Sequence, residues 1–266
     1  TLDFYMTMFP IPKITESFID GVIQSMGWHR YTDKYPVIEG QENADYLSQN
    51  DVLELKIFEE EGILKSNRKT KIAALFKKLS TSSNQVNIDI ENIPDEIRNE
   101  FENLITQPFQ TAIKKASKQM RQSAITTGNS GHKIVIAVNN GYSYLDADNF
   151  ERLFINRCKR DTKSIDYAAC ITVDYHQGNI DARIFCTTRI HQINTSSKWE
   201  YELDFQNAVN NKFEQAMTIM MKDQLNPELW KNRLRPVKDI HFTHDNVSYI
   251  REAPFVPDSR FNQSEI

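Results

Sequence analysis

Residues 44–58 read ADYLSQNDVLELKIF and have the pattern of a β-hairpin. An apolar strand ends near Tyr46 and Leu47, and residues 48–51 (SQND) are typical turn formers. Residues 52–58 (VLELKIF) are rich in side chains that favour a strand. The stretch therefore predicts two antiparallel strands joined by a short turn, and the remainder of the chain can be placed around them.

Three charged residues of this hairpin converge at one end. Glu54 and Lys56 share a strand face because side chains alternate along a strand, and Asp45 lies on the pairing strand just before the turn. Two carboxylates within a few ångströms repel each other, and one pKa rises unless a cation lies between them. Mg²⁺ resolves this conflict, since it binds a few carboxylates together with waters and phosphate oxygens. A charged lysine cannot be a ligand, but it can hold an attacking water, so the pattern indicates metal-assisted hydrolysis of a phosphodiester.

The motif resembles that of a known nuclease family. Asp45, eight intervening residues and then Glu54-Leu55-Lys56 are similar to the D…(D/E)xK signature of the PD-(D/E)xK superfamily. Ala44 stands where that family commonly has proline. The resemblance implies that Asp45 and Glu54 bind Mg²⁺, or Mn²⁺ in its place, that the Leu55 carbonyl completes the site, and that Lys56 assists the water.

Two further site residues are implied by the same resemblance. The superfamily often has a metal-binding glutamate on its first helix, and Glu16 in the predicted helix 14–26 is the candidate. An acidic residue in a first helical turn is also favoured by the helix dipole, so both interpretations of Glu16 stand. Gln119 matches the polar residue that the family often carries on a later helix, directed at the metal or the nucleic acid.

A carboxylate-x-lysine pattern also arises by chance in charged strands, so a solvated strand face with an incidental ion pair is the alternative. The order of elements favours the nuclease interpretation. After helix 14–26, the predicted elements are a strand at 31–38, the two hairpin strands, a helical region from Pro94 to about Ala124 with a break at Pro108, a buried strand at 133–138, a helix at 147–160, a strand at 167–173 and its hairpin partner at 181–187. This is the order of a restriction-endonuclease-like core.

The expected fold is therefore α/β, with a restriction-endonuclease-like core in residues 1–190 and a mixed central sheet flanked by helices. Residues 191–266 form a C-terminal extension that packs on the core. It contains an amphipathic helix at 207–225 and an irregular tail divided by prolines.

Basic residues are concentrated between the hairpin and the long helical region. They are Lys65, Arg68, Lys69, Lys71, Lys77 and Lys78. Such a run is typical of a solvated helix or loop, and a surface for phosphate backbone is the functional alternative.

The composition excludes some classes of protein but does not identify the function. A chain of 266 residues that is 39% hydrophobic can bury a sizeable core, and its net charge of −4 allows a local basic cleft but no uniformly basic coat. The three cysteines, odd in number and widely spaced, together with the lack of a recognisable leader, predict a reduced cytoplasmic protein.

These patterns predict a Mg²⁺-dependent nuclease, with DNA favoured over RNA as its partner, acting in restriction, phage defence or DNA processing. The sequence leaves open whether it works with a second copy of itself or with a partner subunit. The rival hypothesis is a non-catalytic nucleic-acid-binding or assembly domain that keeps a nuclease-like fold.

Overall fold

The computed structural model describes residues 11–37, 39–59, 62–79, 84–140, 144–177, 182–223, 240–251 and 260–261. Its helices are α1 (Glu16–Ser25), α2 (Tyr31–Lys34), α3 (Ser66–Lys77), α4 (Asp95–Ile105), α5 (Gln107–Thr127), α6 (Ala147–Asp161) and α7 (Glu202–Asp223). Its strands are β1 (Ile11–Pro12), β2 (His29–Arg30), β3 (Tyr46–Leu47), β4 (Val52–Phe58), β5 (Gln85–Asn87), β6 (Lys133–Asn139), β7 (Tyr167–Gln177), β8 (Ala182–Gln192), β9 (Ile240–His244), β10 (Val247–Arg251) and β11 (Arg260–Phe261). Short 3₁₀ helices lie at Gly62–Leu64 and Ile90–Asn92.

The largest sheet has six strands in the order β2-β3-β4-β6-β7-β8. Strands β2, β3 and β4 form an antiparallel meander, β4, β6 and β7 run parallel, and β8 returns antiparallel to β7. Helix α5 lies between β4 and β6 in the chain, and α6 lies between β6 and β7, as parallel neighbours require. The predicted α/β class, with a mixed sheet flanked by helices, is confirmed.

Apolar side chains cover both faces of this sheet. One face, which includes Val52, Phe58 and Val135, packs against residues of α3, α4, α5 and α6. The other, which includes Leu53 and Ile134, packs against α1 and α7. The nearly continuous apolar run of β6 is therefore buried on both sides, as its sequence predicted.

The predicted strand at 31–38 is wrong. The strand at this point is β2, only two residues long, and the chain then turns through the short helix α2. Asp33 causes the turn, because its carboxylate accepts a hydrogen bond from the Arg30 backbone N–H at 3.0 Å and caps the helix. Tyr31, whose β-preference suggested a strand, is buried at the start of α2 instead.

The long helical region is broken, as predicted, but the break falls at Thr106, between α4 and α5, and not at Pro108. Pro108 lies in the first turn of α5, where the missing N–H of proline is tolerated. Helix α5 continues to Thr127, and Gly128 ends it with φ of 74°.

The C-terminal segment is more regular than the sequence predicted. Helix α7 begins at Glu202 rather than Asn207 and packs against α1. Residues 240–251, expected to be irregular, form a hairpin of β9 and β10, and β10 pairs with β5. Asp245 and Asn246 have φ of 49° and 62° at its turn, a conformation that Asp and Asn tolerate. The prolines that suggested an irregular tail lie outside the described residues.

Within the described ranges, no helix is long and apolar enough to cross a lipid bilayer.

Candidate active site

Asp45 and Glu54 lie side by side on the hairpin. The register pairs Tyr46 with Leu53 and Leu47 with Val52, so one further step places Asp45 opposite Glu54. Oδ2 of Asp45 also accepts a hydrogen bond of 2.8 Å from the Leu55 backbone N–H. The predicted hairpin is confirmed, and the turn between its strands is closed by a hydrogen bond from the Ser48 N–H to the Asp51 carbonyl at 3.1 Å.

The carboxylate of Glu54 is buried. Only 1% of the Glu54 side chain is exposed, and 17% of the Lys56 side chain, although the two form a direct ion pair. A solvated strand face with an incidental ion pair would leave both groups in water, so that alternative is wrong. Oε2 of Glu54 finds no hydrogen-bond partner in the part of the chain that the structure describes.

Burial makes negative charge unfavourable at this site. Burial, and after it the neighbouring charge of Asp45, raises the pKa of Glu54 to about 8 against the lowering effect of Lys56. The pKa of Asp45 is also raised, chiefly by burial, against the lowering effect of the hydrogen bond from Leu55 N–H and the charge of Lys56. The single charge of Lys56 therefore does not compensate the buried Glu54 and the half-buried Asp45 together.

Helix α5 contributes Gln119, which contacts both Lys56 and the segment before Asp45. Oε1 of Gln119 accepts a hydrogen bond of 3.3 Å from Nζ of Lys56, and its Nε2 donates to the Asn43 carbonyl at 2.9 Å. Gln119, expected from the resemblance to be directed at the metal or the nucleic acid, is buried and contacts Lys56.

Ser123, one turn later on α5, is a site residue that sequence reasoning missed. Its hydroxyl accepts a hydrogen bond of 2.8 Å from the Ala44 N–H, next to Asp45, and its side chain is fully buried. The available signal was a polar residue that continues the apolar stripe of Ile113, Ala116 and Met120.

Glu16 lies near this site but is engaged elsewhere. Its carboxylate pairs with Arg30 at 2.6 Å, and 57% of its side chain is exposed. Arg30 also binds Asp20 at 2.6 Å, and the Tyr46 hydroxyl donates to the same aspartate at 2.9 Å. The charge of Glu16 contributes to the raised pKa of Asp45, so the two carboxylates are electrostatically coupled.

The donor set fits a hard divalent cation. The carboxylates of Asp45 and Glu54, both with raised pKa values, and the adjacent Leu55 carbonyl are oxygen donors, which Mg²⁺ and Mn²⁺ prefer, and one Glu54 oxygen has no described partner. Among the described residues, no group of three or more His, Cys, Asp or Glu side chains gathers as a metal cage. The arrangement therefore resembles a site completed by waters and a substrate phosphate rather than a closed protein cage.

Compared with known proteins, the chain matches no family model, no curated protein and no solved structure.

Proposed function

We propose that this chain is a Mg²⁺-dependent nuclease of the PD-(D/E)xK type with a restriction-endonuclease-like core, and that its substrate is DNA. The observation that carries the proposal is the pair of the half-buried Asp45 and the buried Glu54, with Lys56 bound to the second carboxylate. A fold gains no stability from clustering buried carboxylates, so a cation is the simplest reason for them. The order of α1, the antiparallel meander, α5 and the parallel strand β6 supports the same proposal.

The metal would be held by Asp45, Glu54 and the Leu55 carbonyl, and Glu16 would join them only after leaving Arg30. When bound, the metal supplies a polarised phosphoryl oxygen and a water of lowered pKa. Lys56 has three N–H donors, of which two are directed at Glu54 and Gln119. The third is available to orient the attacking water or to offset charge on the phosphate.

The reducing cytoplasm is the proposed compartment. All three cysteines are free thiols, and two of them, Cys158 and Cys170, are buried.

The decisive experiment compares Glu54→Gln and Asp45→Asn with the wild type on supercoiled, linear and single-stranded DNA, with Mg²⁺ and with EDTA. We expect Mg²⁺-dependent cleavage that falls at least about 10²-fold in each variant, the usual scale for a positioned catalytic group. Glu59→Gln is the matched control, because it removes an exposed carboxylate of the same segment, paired with Lys13. Cleavage at the wild-type rate by both site variants would overturn the proposal.

Lys56→Ala in the same assay separates an enzyme from a binding module. A lysine that positions water lowers the single-turnover rate by about 10²-fold while DNA binding in Ca²⁺ changes little. A lysine that only anchors phosphate weakens binding, and cleavage falls in proportion.

A further inference from the structure

The amino-terminal half of helix α3 carries positive charge that no described residue neutralises. Arg68, Lys69 and Lys71 form no ion pair with any described residue. Helix α3 itself contains no acidic residue. The chain as a whole has 36 acidic and 32 basic residues, so an unpaired basic group does not follow from its composition. We refer to these three residues as the α3 basic surface.

The carboxyl-terminal end of the same helix shows the contrasting arrangement. Lys77 forms an ion pair with Asp245, and Lys78 pairs with Glu100 at 2.6 Å. These lysines are as exposed as a solvated run predicts, yet each has an acidic partner on another element. The lack of such partners is therefore a property of the α3 basic surface and not of the basic run as a whole.

Arg68 and Lys69 lie on the side of α3 that faces the core. Arg68 lies one turn before Ile72, which is buried in the core, and residues four apart share a helix face. Arg68 is half-buried with its guanidinium against Gly62, where an added methyl group would lie 2.0 Å from Nη1. Nζ of Lys69 lies 5.8 Å from the ring centre of Phe242. Their charges are thus held at the edge of the core, while Lys71 is exposed.

This edge of the core belongs to the catalytic face of the sheet. Ile72 and Phe76 of α3 join the same apolar cluster as Val52 and Phe58. These two residues of β4 share a strand face with Glu54 and Lys56, because side chains two apart point to the same side. Helix α3 is also the next helix in the chain after β4. The eight steps from Phe58 to Ser66 span at most about 29 Å, which is the length of about eight base pairs at about 3.4 Å each.

We infer that the α3 basic surface binds the phosphate backbone of the duplex DNA that the carboxylate site cleaves, an inference that rests on the proposed nuclease function. Arginine and lysine are the side chains that recognise phosphate, the first through a planar fork and the second as a point charge. Such contacts orient the duplex without reading its sequence. DNA is the occupant because the neighbouring carboxylate site is suited to a phosphodiester.

The test compares two double variants that change the net charge equally. Arg68→Gln with Lys71→Gln removes two charges from the surface, and Lys77→Gln with Lys78→Gln removes two paired charges from the other end of α3. Binding of a short fluorescent DNA duplex is measured by anisotropy in Ca²⁺ over a range of NaCl concentrations. We expect the first variant to bind about tenfold or more weakly, with the slope of log affinity against log salt reduced by about 1.8, since each phosphate contact contributes about 0.9. The control should change neither quantity appreciably.

The outcomes separate this inference from the proposed function. Unchanged affinity and salt slope in the Arg68 and Lys71 variant would overturn the inference, and equal weakening in both variants would do so too, by showing a net-charge effect. In either case the nuclease proposal stands if Glu54→Gln still abolishes cleavage. A wild-type protein that neither binds nor cuts the duplex would overturn both. Circular dichroism of each variant excludes unfolding as the cause of lost binding.

Discussion

Glu54 carries a negative charge that the folded protein disfavours when no metal is bound. Its ordinary pKa of 4.5 rises to about 8, chiefly through burial and then through Asp45. Between these two values the folded state binds more protons than the unfolded state, so stability falls as the pH rises from about 4.5 to about 8, and does not recover above it. Under the proposed function the same carboxylate would be a ligand of the metal. The burial of Glu54 would then lower the stability of the metal-free protein and favour the metal-bound state.

Glu54→Gln should accordingly raise the thermal unfolding midpoint of the metal-free protein. Glutamine imitates the neutral acid, so the difference from the wild type should be small near pH 5 and grow to several degrees near pH 8. Unfolding is followed in EDTA and again in excess Ca²⁺, which should stabilise the wild type but not the variant. Glu59→Gln, at an exposed position, serves as the control. A lower midpoint for Glu54→Gln near pH 8 in EDTA would contradict the argument.

At the scale of single elements, helix α5 fixes the position of the segment that precedes β3 and contains Asp45. Gln119 and Ser123 bind the backbone of Asn43 and Ala44, the two residues just before it. The hydroxyl of Ser123 is the acceptor for a buried N–H, which would be left without a partner if the hydroxyl were removed. Asp45 would then keep its own bond to Leu55 N–H but lose the support of the helix.

Ser123→Ala should reduce both stability and metal affinity. The unpaired N–H of Ala44 costs about 1–3 kcal/mol, and the loosened segment should weaken Ca²⁺ binding by about 10-fold, within the range for outer-shell changes at metal sites. Ser117→Ala is a close control, because Ser117 is also buried on α5 but binds the hydroxyls of Thr162 and Ser164. Calorimetric titration with Ca²⁺ distinguishes the two variants. Equal Ca²⁺ affinities would show that the contact of Ser123 is only structural.

These elements differ in how well the sequence predicts them. The apolar patterns of β4 and β6 and the paired charges of Glu54 and Lys56 are local features, so the sequence predicts them well. The role of Ser123 depends on a contact with a residue 79 positions away, which no local pattern encodes. The helix at Tyr31 likewise depends on one capping bond, which outweighs the strand preference of its residues.

On the scale of the whole molecule, the segment after residue 190 is joined to the core by buried contacts. Trp199 is fully buried, and its Nε1 donates to Oδ2 of Asp51 at 3.1 Å. The other oxygen of Asp51 accepts from the His132 N–H at 2.8 Å, so this carboxylate links the turn between β3 and β4 to the loop before β6 and to the C-terminal segment. Trp199 also packs in one apolar cluster with Trp28 and Phe205.

Asp51→Ala should therefore weaken the whole chain and not the hairpin alone. Several buried donors, the Trp199 indole among them, lose their acceptor, so we expect a loss of about 2–5 kcal/mol in the free energy of unfolding. Because the contact joins both segments, tryptophan fluorescence and far-ultraviolet circular dichroism should still report one coincident transition in urea. Asp148→Ala, which removes an exposed carboxylate paired with Arg189, should change stability by less than about 1 kcal/mol. Two separate transitions in the wild type would instead mean that the C-terminal segment folds independently of the core.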